Sequence, residues 1–152
     1  MRQKTIEEYI ETIYVLQQQE GSAHTSAIAA EMEVRAPSVT EMLQKLQQEG
    51  YVEYTPYRGA MLTDTGRTLA EELMDKHRVI ADFLDIIGVE RSRAEIDACQ
   101  IEHHVSPKSI EQLEKFVHFV TDAPDMPRWV HHFRQYCRTG ERASCELYDR
   151  DK

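Results

Sequence analysis

The sequence predicts a mainly α-helical protein with one small β-hairpin, and three observations carry that prediction. Apolar residues recur at steps of three and four through most of the chain. Only residues 51–62 switch to β-favouring side chains around turn chemistry. Glycines end the periodic segments and Pro37 and Pro107 stand where helices begin, the usual asymmetry of helix termini.

The first helix is expected to open with a capping box, Thr5-x-x-Glu8, and to run to about Glu20 before Gly21. Ile6, Ile10, Ile13 and Leu16 form its apolar stripe, with Tyr9 and Tyr14 beside it. Glu8 and Glu11 lie one turn apart, a spacing that suits metal ligation and equally suits ordinary solvation near a helix start. Thr25 reads as the cap of a short second helix to about Glu33, with Ile28, Ala29 and Met32 on its apolar face. After the turn Val34-Arg35-Ala36, Pro37 starts a third helix whose Val39, Met42, Leu43 and Leu46 repeat at i, i+3, i+4 and i+7 until Gly50.

Two short helices joined by a tight turn after a longer one make a helix-turn-helix, the third helix being the recognition helix. Its exposed start offers Pro37, Ser38, Thr40, Glu41 and Gln44, with Arg35 just before, as groups able to meet base edges, thymine methyls and phosphates. Tyr51-Val52-Glu53-Tyr54, the turn Thr55-Pro56-Tyr57-Arg58-Gly59 and Ala60-Met61-Leu62 then form a hairpin, which makes the motif winged and places Arg58 at the wing tip. Residues 1–66 are the expected winged helix-turn-helix DNA-binding domain and residues 67–152 a helical domain with a C-terminal tail.

That second domain is expected to start with a long helix, about Thr65 to Ile87, ended by Gly88. His77 lies on or beside its apolar stripe, either as a hydrogen-bonded core histidine or as a ligand. Ser92 and Glu95 read as a second capping box, opening a helix through Asp97-Ala98-Cys99-Gln100-Ile101-Glu102-His103-His104. In an α-helix, Cys99, Glu102 and His103 at i, i+3 and i+4 share one side, within reach of a single ion; a small buried thiol beside a solvated pair fits the same spacing. Ser106-Pro107 begins a helix through about Val120 with Ile110, Leu113, Val117 and Val120 inward, and Arg128 to about Tyr136 forms the last. His131, His132, Cys137 and Cys145 offer a possible separate zinc site, although C-x7-C is not a standard knuckle.

Composition narrows the function classes. No apolar run approaches a bilayer span and no signal peptide is evident, so a cytoplasmic protein with no membrane partner is expected. Three cysteines at irregular spacing argue for thiols or ligands rather than a disulfide framework. The net charge is −9, and residues 1–66 hold five basic against ten acidic side chains, so DNA binding requires something that first offsets acidic groups. No H-E-x-x-H motif or additional general base accompanies the cluster, and no enzyme is expected.

The winged helix, Tyr57-Arg58-Gly59, Lys76-His77-Arg78, Asp85-Ile86-Ile87-Gly88-Val89 and Cys99-x-x-Glu102-His103-His104 together resemble the diphtheria toxin repressor family of metal-dependent transcription repressors. The resemblance covers about residues 4–122 and is nearest to the short, two-domain manganese transport regulator form, the chain ending without room for an SH3-like third domain. It implies a homodimer in which the first domain binds double-stranded operator DNA and the later helices pair the subunits. It also implies Glu8, Glu11, His77, Cys99, Glu102 and His103 as metal ligands, with Glu11 and Glu102 shared if the site holds two ions. The manganese type has Asp where this chain has Glu8 and Glu where it has Cys99; the iron type has Met and Cys there. This hybrid set points to Fe(II) or Mn(II) as corepressor, with Zn(II) or Co(II) possible in vitro because a thiolate is softer than a carboxylate. The alternative is a winged-helix regulator responding to thiol oxidation or an organic effector.

Overall fold

The computed structural model describes residues 3–142, with side chains from residue 5 onward. Chain order is α1 (Gln3–Glu20), α2 (Thr25–Glu31), α3 (Ala36–Gln48), β1 (Val52–Thr55), β2 (Gly59–Leu62), α4 (Asp64–Ile86), α5 (Arg91–Ile101), a 3₁₀ turn (Glu102–His104), α6 (Pro107–Thr121) and α7 (Arg128–Thr139). Packing divides the chain into two compact units, Met1–Lys76 and His77–Lys152. The division falls inside α4, whereas the sequence places it at residue 66. The early turns of α4 contribute Ala70 and Leu73 to the first unit's core.

In the first unit, Ile10 and Ile13 of α1, Ile28 of α2, and Val39, Leu43 and Leu46 of α3 are fully buried in one cluster. Removing each such side chain from water contributes about 1.5–3 kcal/mol, so the three amphipathic faces hold the helix-turn-helix angle. The apolar face of α3 agrees with its periodicity, since Val39, Met42, Leu43 and Leu46 are all buried. The expected caps differ. Helix α1 already includes Gln3, so Thr5 lies inside it rather than at its cap. His24, not Thr25, is the N-cap of α2, which ends at Glu31, two residues short of the expected Glu33.

The wing is antiparallel, with Val52 opposite Leu62 and Thr55 opposite Gly59. Two glutamines fix it to the helices: Gln17 Oε1 of α1 accepts the Leu62 N–H at 2.9 Å, and Gln47 Oε1 of α3 accepts that of Tyr54 at 2.8 Å. Ala23 adds a bridge to Ala60 through bonds of 2.9 and 2.8 Å. Gly59 permits this approach: its φ is +92°, and a Cβ there would stand 2.7 Å from the Ala23 carbonyl oxygen. At the tip, Tyr57 adopts φ +67° and its side chain is fully exposed.

The second unit packs in two clusters. Ile80 and Ala81 of α4 meet Ala98 of α5, with Ile110 and Leu113 of α6 against them, while Ile86, Val117, Val120 and Val130 form the other. Phe116 joins the latter through an edge contact to Phe83 at 5.7 Å and a tilted contact to Trp129 at 5.8 Å between ring centres. Ser106 caps α6 as expected, its hydroxyl accepting the Ser109 N–H at 3.3 Å. Helix α5 departs from expectation. Its N-cap is Glu90, whose carboxylate accepts the N–H groups of Ser92 and Arg93 at 3.2 and 3.3 Å, and Glu95 is used elsewhere, so Ser92 and Glu95 form no capping box. The α-helix also stops at Ile101, and Glu102, His103 and His104 tighten into the 3₁₀ turn.

Candidate metal centre

His77 enters the second unit from α4, where Val79, Ile80 and Ala81 bury the helix around it and leave its side chain 22% exposed. Its Nδ1 stands 3.0 Å from Glu102 Oε2 and its Nε2 2.6 Å from Glu95 Oε2. A neutral imidazole has one N–H and can donate to only one of these carboxylates; the cation donates to both. The Glu102 hydrogen bond, against partial burial and helped by Glu95, accordingly raises the His77 pKa from 6.5 to about 9.

Glu95 is in turn held from α5. Its carboxyl lies below the ordinary value because of the His77 hydrogen bond first, and Arg91 next. Arg91 Nε donates to Glu95 Oε1 at 2.6 Å and its Nη1 to Asp82 Oδ1 at 2.6 Å. The result is an alternating row of charges, Asp82, Arg91, Glu95, His77 and Glu102.

Glu102 ends that row at 2% exposure, the one buried charged residue among those described. One carboxylate oxygen faces His77; the other, Oε1, makes no hydrogen bond among the described residues and lies 3.5 Å from His103 Nε2. A carboxylate oxygen removed from water without a donor is costly, and a cation is the partner such an oxygen lacks. Imidazole nitrogens and carboxylate oxygens are also the donor chemistry that Fe(II), Mn(II) and Zn(II) accept, so these residues fit a divalent metal.

Of the expected ligands, the structure gathers His77, Glu102 and His103 within the second unit. Cys99 is exposed on α5. Three residues after it the chain tightens from α5 into the 3₁₀ turn that carries Glu102 and His103. Glu8 and Glu11 are half-buried, one turn apart on α1 in the first unit. Glu95 was not anticipated, although its position seven residues before Glu102 was a usable signal for a shared helix side. In α7, His131 and Cys137 are exposed and His132 is half-buried, while Cys145 lies outside the described residues.

Among the expected DNA-contacting residues, Arg35, Pro37, Ser38, Glu41, Gln44 and Arg58 are exposed. Thr40 is half-buried, its hydroxyl donating to the Ala36 carbonyl at 3.2 Å. Thr40 and Gln44 line an open groove of about 570 Å³ whose other wall is the wing, including Tyr54 and Tyr57.

Comparison with known proteins agrees with both units. Residues 1–60 match the N-terminal DNA binding domain of the iron dependent repressors, and residues 63–129 match the metal binding and dimerisation domain of the same family. The transcriptional regulator MntR of Oceanobacillus iheyensis is 41% identical over 118 residues, which are 78% of this chain and 80% of that protein. Among solved structures, the manganese regulator SloR aligns with TM-score 0.64 at 35% identity, and the metal-dependent transcriptional regulator MtsR with TM-score 0.68 at 33%. Each alignment covers 75% of this chain and 54% of the other, so the chain spans about half the length of those two proteins. With both family domains matched in order and a relative aligned over most of both sequences, this chain belongs to the diphtheria toxin repressor family of metal-dependent transcriptional repressors, in its manganese-regulator form.

Proposed function

We propose that this chain represses transcription as a homodimer whose affinity for operator DNA is raised by Fe(II) or Mn(II). The observation that carries the reading is Glu102, buried with one oxygen lacking a hydrogen-bond donor beside two histidines. Around it the ligand set is His77, Glu102, His103 and Cys99 from the second unit, joined by Glu8 and Glu11 from α1 of the first. A divalent ion supplies the positive charge that lets carboxylates of both units serve one centre. Fe(II) suits the Cys99 thiolate better than Mn(II) does, and Zn(II) and Co(II) are expected to substitute in vitro.

The ligands' division between the units makes the mechanism mechanical as well as electrostatic. In a two-fold dimer the recognition helices must stand about 34 Å apart to enter successive major grooves. Ligands drawn from both units restrict the DNA-binding unit, so the competent spacing becomes a larger share of the population. The ion also offsets the negative charge of Glu8 and Glu11 in an acidic unit that must approach phosphate. Arg35, Pro37, Ser38, Thr40, Glu41 and Gln44 then read the groove while Arg58 follows the backbone. No helix among the described residues is long and apolar enough to cross a membrane, and a DNA partner fits a cytoplasmic location.

The test is anaerobic binding to duplexes selected from a random pool by the Mn(II)-loaded protein, titrated with Mn(II), Fe(II), Co(II) or Zn(II) at fixed salt. Affinity should rise with metal, and equal affinity with and without it refutes the reading. The exposure of Cys99 supports a second reading, a response to thiol oxidation. That reading requires peroxide to change the DNA affinity of metal-free protein, and Cys99→Ser to abolish the change.

A further inference from the structure

Helix α7 carries Arg128, His131, His132, Arg134 and Arg138 and not one acidic residue, in a chain with 27 acidic and 18 basic side chains. His131, Arg134 and Arg138 recur at i, i+3 and i+7, so they share one side of the helix. That side borders an open cavity of about 550 Å³, closed opposite by Ile87 and Gly88 at the end of α4. Arg134 Nε is buried and has no hydrogen-bond partner, and neither Arg134 nor Arg138 makes an ion pair among the described residues. Elsewhere in this unit Arg91 pairs with Asp82 and Glu95, Arg93 with Asp97 and Lys115 with Glu111, whereas Lys108 and Arg128 are exposed away from the cavity.

We propose that this cavity is a binding site for the phosphate group of a small molecule. A buried guanidinium N–H without an acceptor is costly, and the planar fork of arginine matches two oxygens of one phosphate. Two guanidinium charges outweigh the roughly half negative charge at the C-terminal end of α4. The volume lies within the range of roughly 300–1,000 Å³ of small-ligand cavities, larger than a bare ion needs, so a phosphorylated metabolite fills it better than free phosphate. The site lies wholly within the second unit and uses none of the metal ligands, so it stands or falls separately from the metal reading.

Calorimetry of the full chain in chloride buffer, with inorganic phosphate and with adenosine monophosphate as probes, tests the proposal. Saturable binding with Kd below about 1 mM is expected, weakened at least about tenfold by Arg134→Gln and by Arg138→Gln. Arg142→Gln, outside the cavity lining, should bind like the parent. Arg138 is exposed, so its variant reports on the site even if Arg134→Gln fails to fold. Tighter binding of the nucleotide assigns the site to phosphorylated metabolites; equal binding assigns it to free phosphate. Binding that neither arginine substitution weakens marks an adventitious ion only and overturns the proposal, as does the absence of saturation by both probes.

Discussion

His77 Nδ1 and Glu102 Oε2 lie 3.0 Å apart, joining the middle of α4 to the turn that follows α5. The pair gives the second unit a charge-assisted bond across elements that otherwise meet through small residues such as Ala81 and Ala98. It also leaves Glu102 with a second oxygen for which the described residues supply no hydrogen. Glu102→Gln keeps the shape and one acceptor but removes the charge. Metal-stimulated DNA binding should fall at least about tenfold, while circular dichroism of the metal-free protein stays unchanged, since a neutral amide is a poorer ligand and no worse a packer. Undiminished stimulation by Mn(II) and Fe(II) would remove Glu102 from the centre.

The same pair sets a pH dependence for the metal-free protein. His77 titrates at about 9 in the folded chain against 6.5 for an unperturbed histidine, so folding favours the protonated ring. Its stabilising contribution is therefore complete below about pH 6.5 and is lost as pH rises through about 9. Urea midpoints measured in chelator should fall across that window, and His77→Gln should flatten the fall. A midpoint that rises from pH 6.5 to 9 in the parent and not in the variant contradicts the two-carboxylate geometry.

Glu95 holds the other side of the same ring and is itself held by Arg91. Partners that orient a ligating histidine typically change metal affinity by about 10–100-fold when removed. Glu95→Gln should shift the metal concentration needed for DNA binding by that factor, while binding at saturating metal approaches the parent's. Loss of DNA binding even at saturating metal would show that Glu95 does more than position His77.

Much of the fold was legible because burial repeats at the helical period: Val39, Met42, Leu43 and Leu46 of α3 are all inside. The hairpin was equally plain from its turn residues. Less legible were features in which a side chain serves the backbone. Gln17 and Gln47 carry no local mark of their role, since nothing nearby in the sequence says that a strand N–H some distance along the chain will meet them. Glu90 rather than Ser92 caps α5: its carboxylate reaches the N–H groups two and three residues on, so the helix starts before Ser92. The 3₁₀ turn at Glu102 was hidden by a spacing that suits an α-helix. Of the candidate centre, His77, Glu102 and His103 were readable from type and spacing, but Glu95 was absorbed into a supposed cap.

Gln17 gives a test of how the wing is held. Its carbonyl oxygen is the acceptor for the partly buried Leu62 N–H at 2.9 Å, and Gln17→Ala leaves that donor without a protein partner. The substitution should cost about 1–3 kcal/mol of stability, read by urea unfolding. DNA affinity should drop with metal affinity unchanged, because the wing and not the centre loses its anchor. Unchanged stability would mean that Gln47 and the Ala23–Ala60 bridge suffice without it.

Arg58 and Tyr57 sit side by side at the wing tip, both exposed, and differ in what they can offer DNA. Arg58 brings a charge that displaces a counterion from phosphate; Tyr57 brings a ring and a hydroxyl and no charge. Arg58→Ala should therefore weaken DNA binding and reduce the slope of log affinity against log salt by about 1. Tyr57→Ala should weaken binding and leave that slope alone, with Tyr57→Phe showing whether the hydroxyl or the ring matters. The distinction matters for this chain because its first unit holds ten acidic and five basic residues over positions 1–66, so each cation it spends on phosphate counts heavily. If Arg58→Ala leaves the salt slope unchanged, the wing does not follow the backbone, and DNA recognition rests on α3 alone.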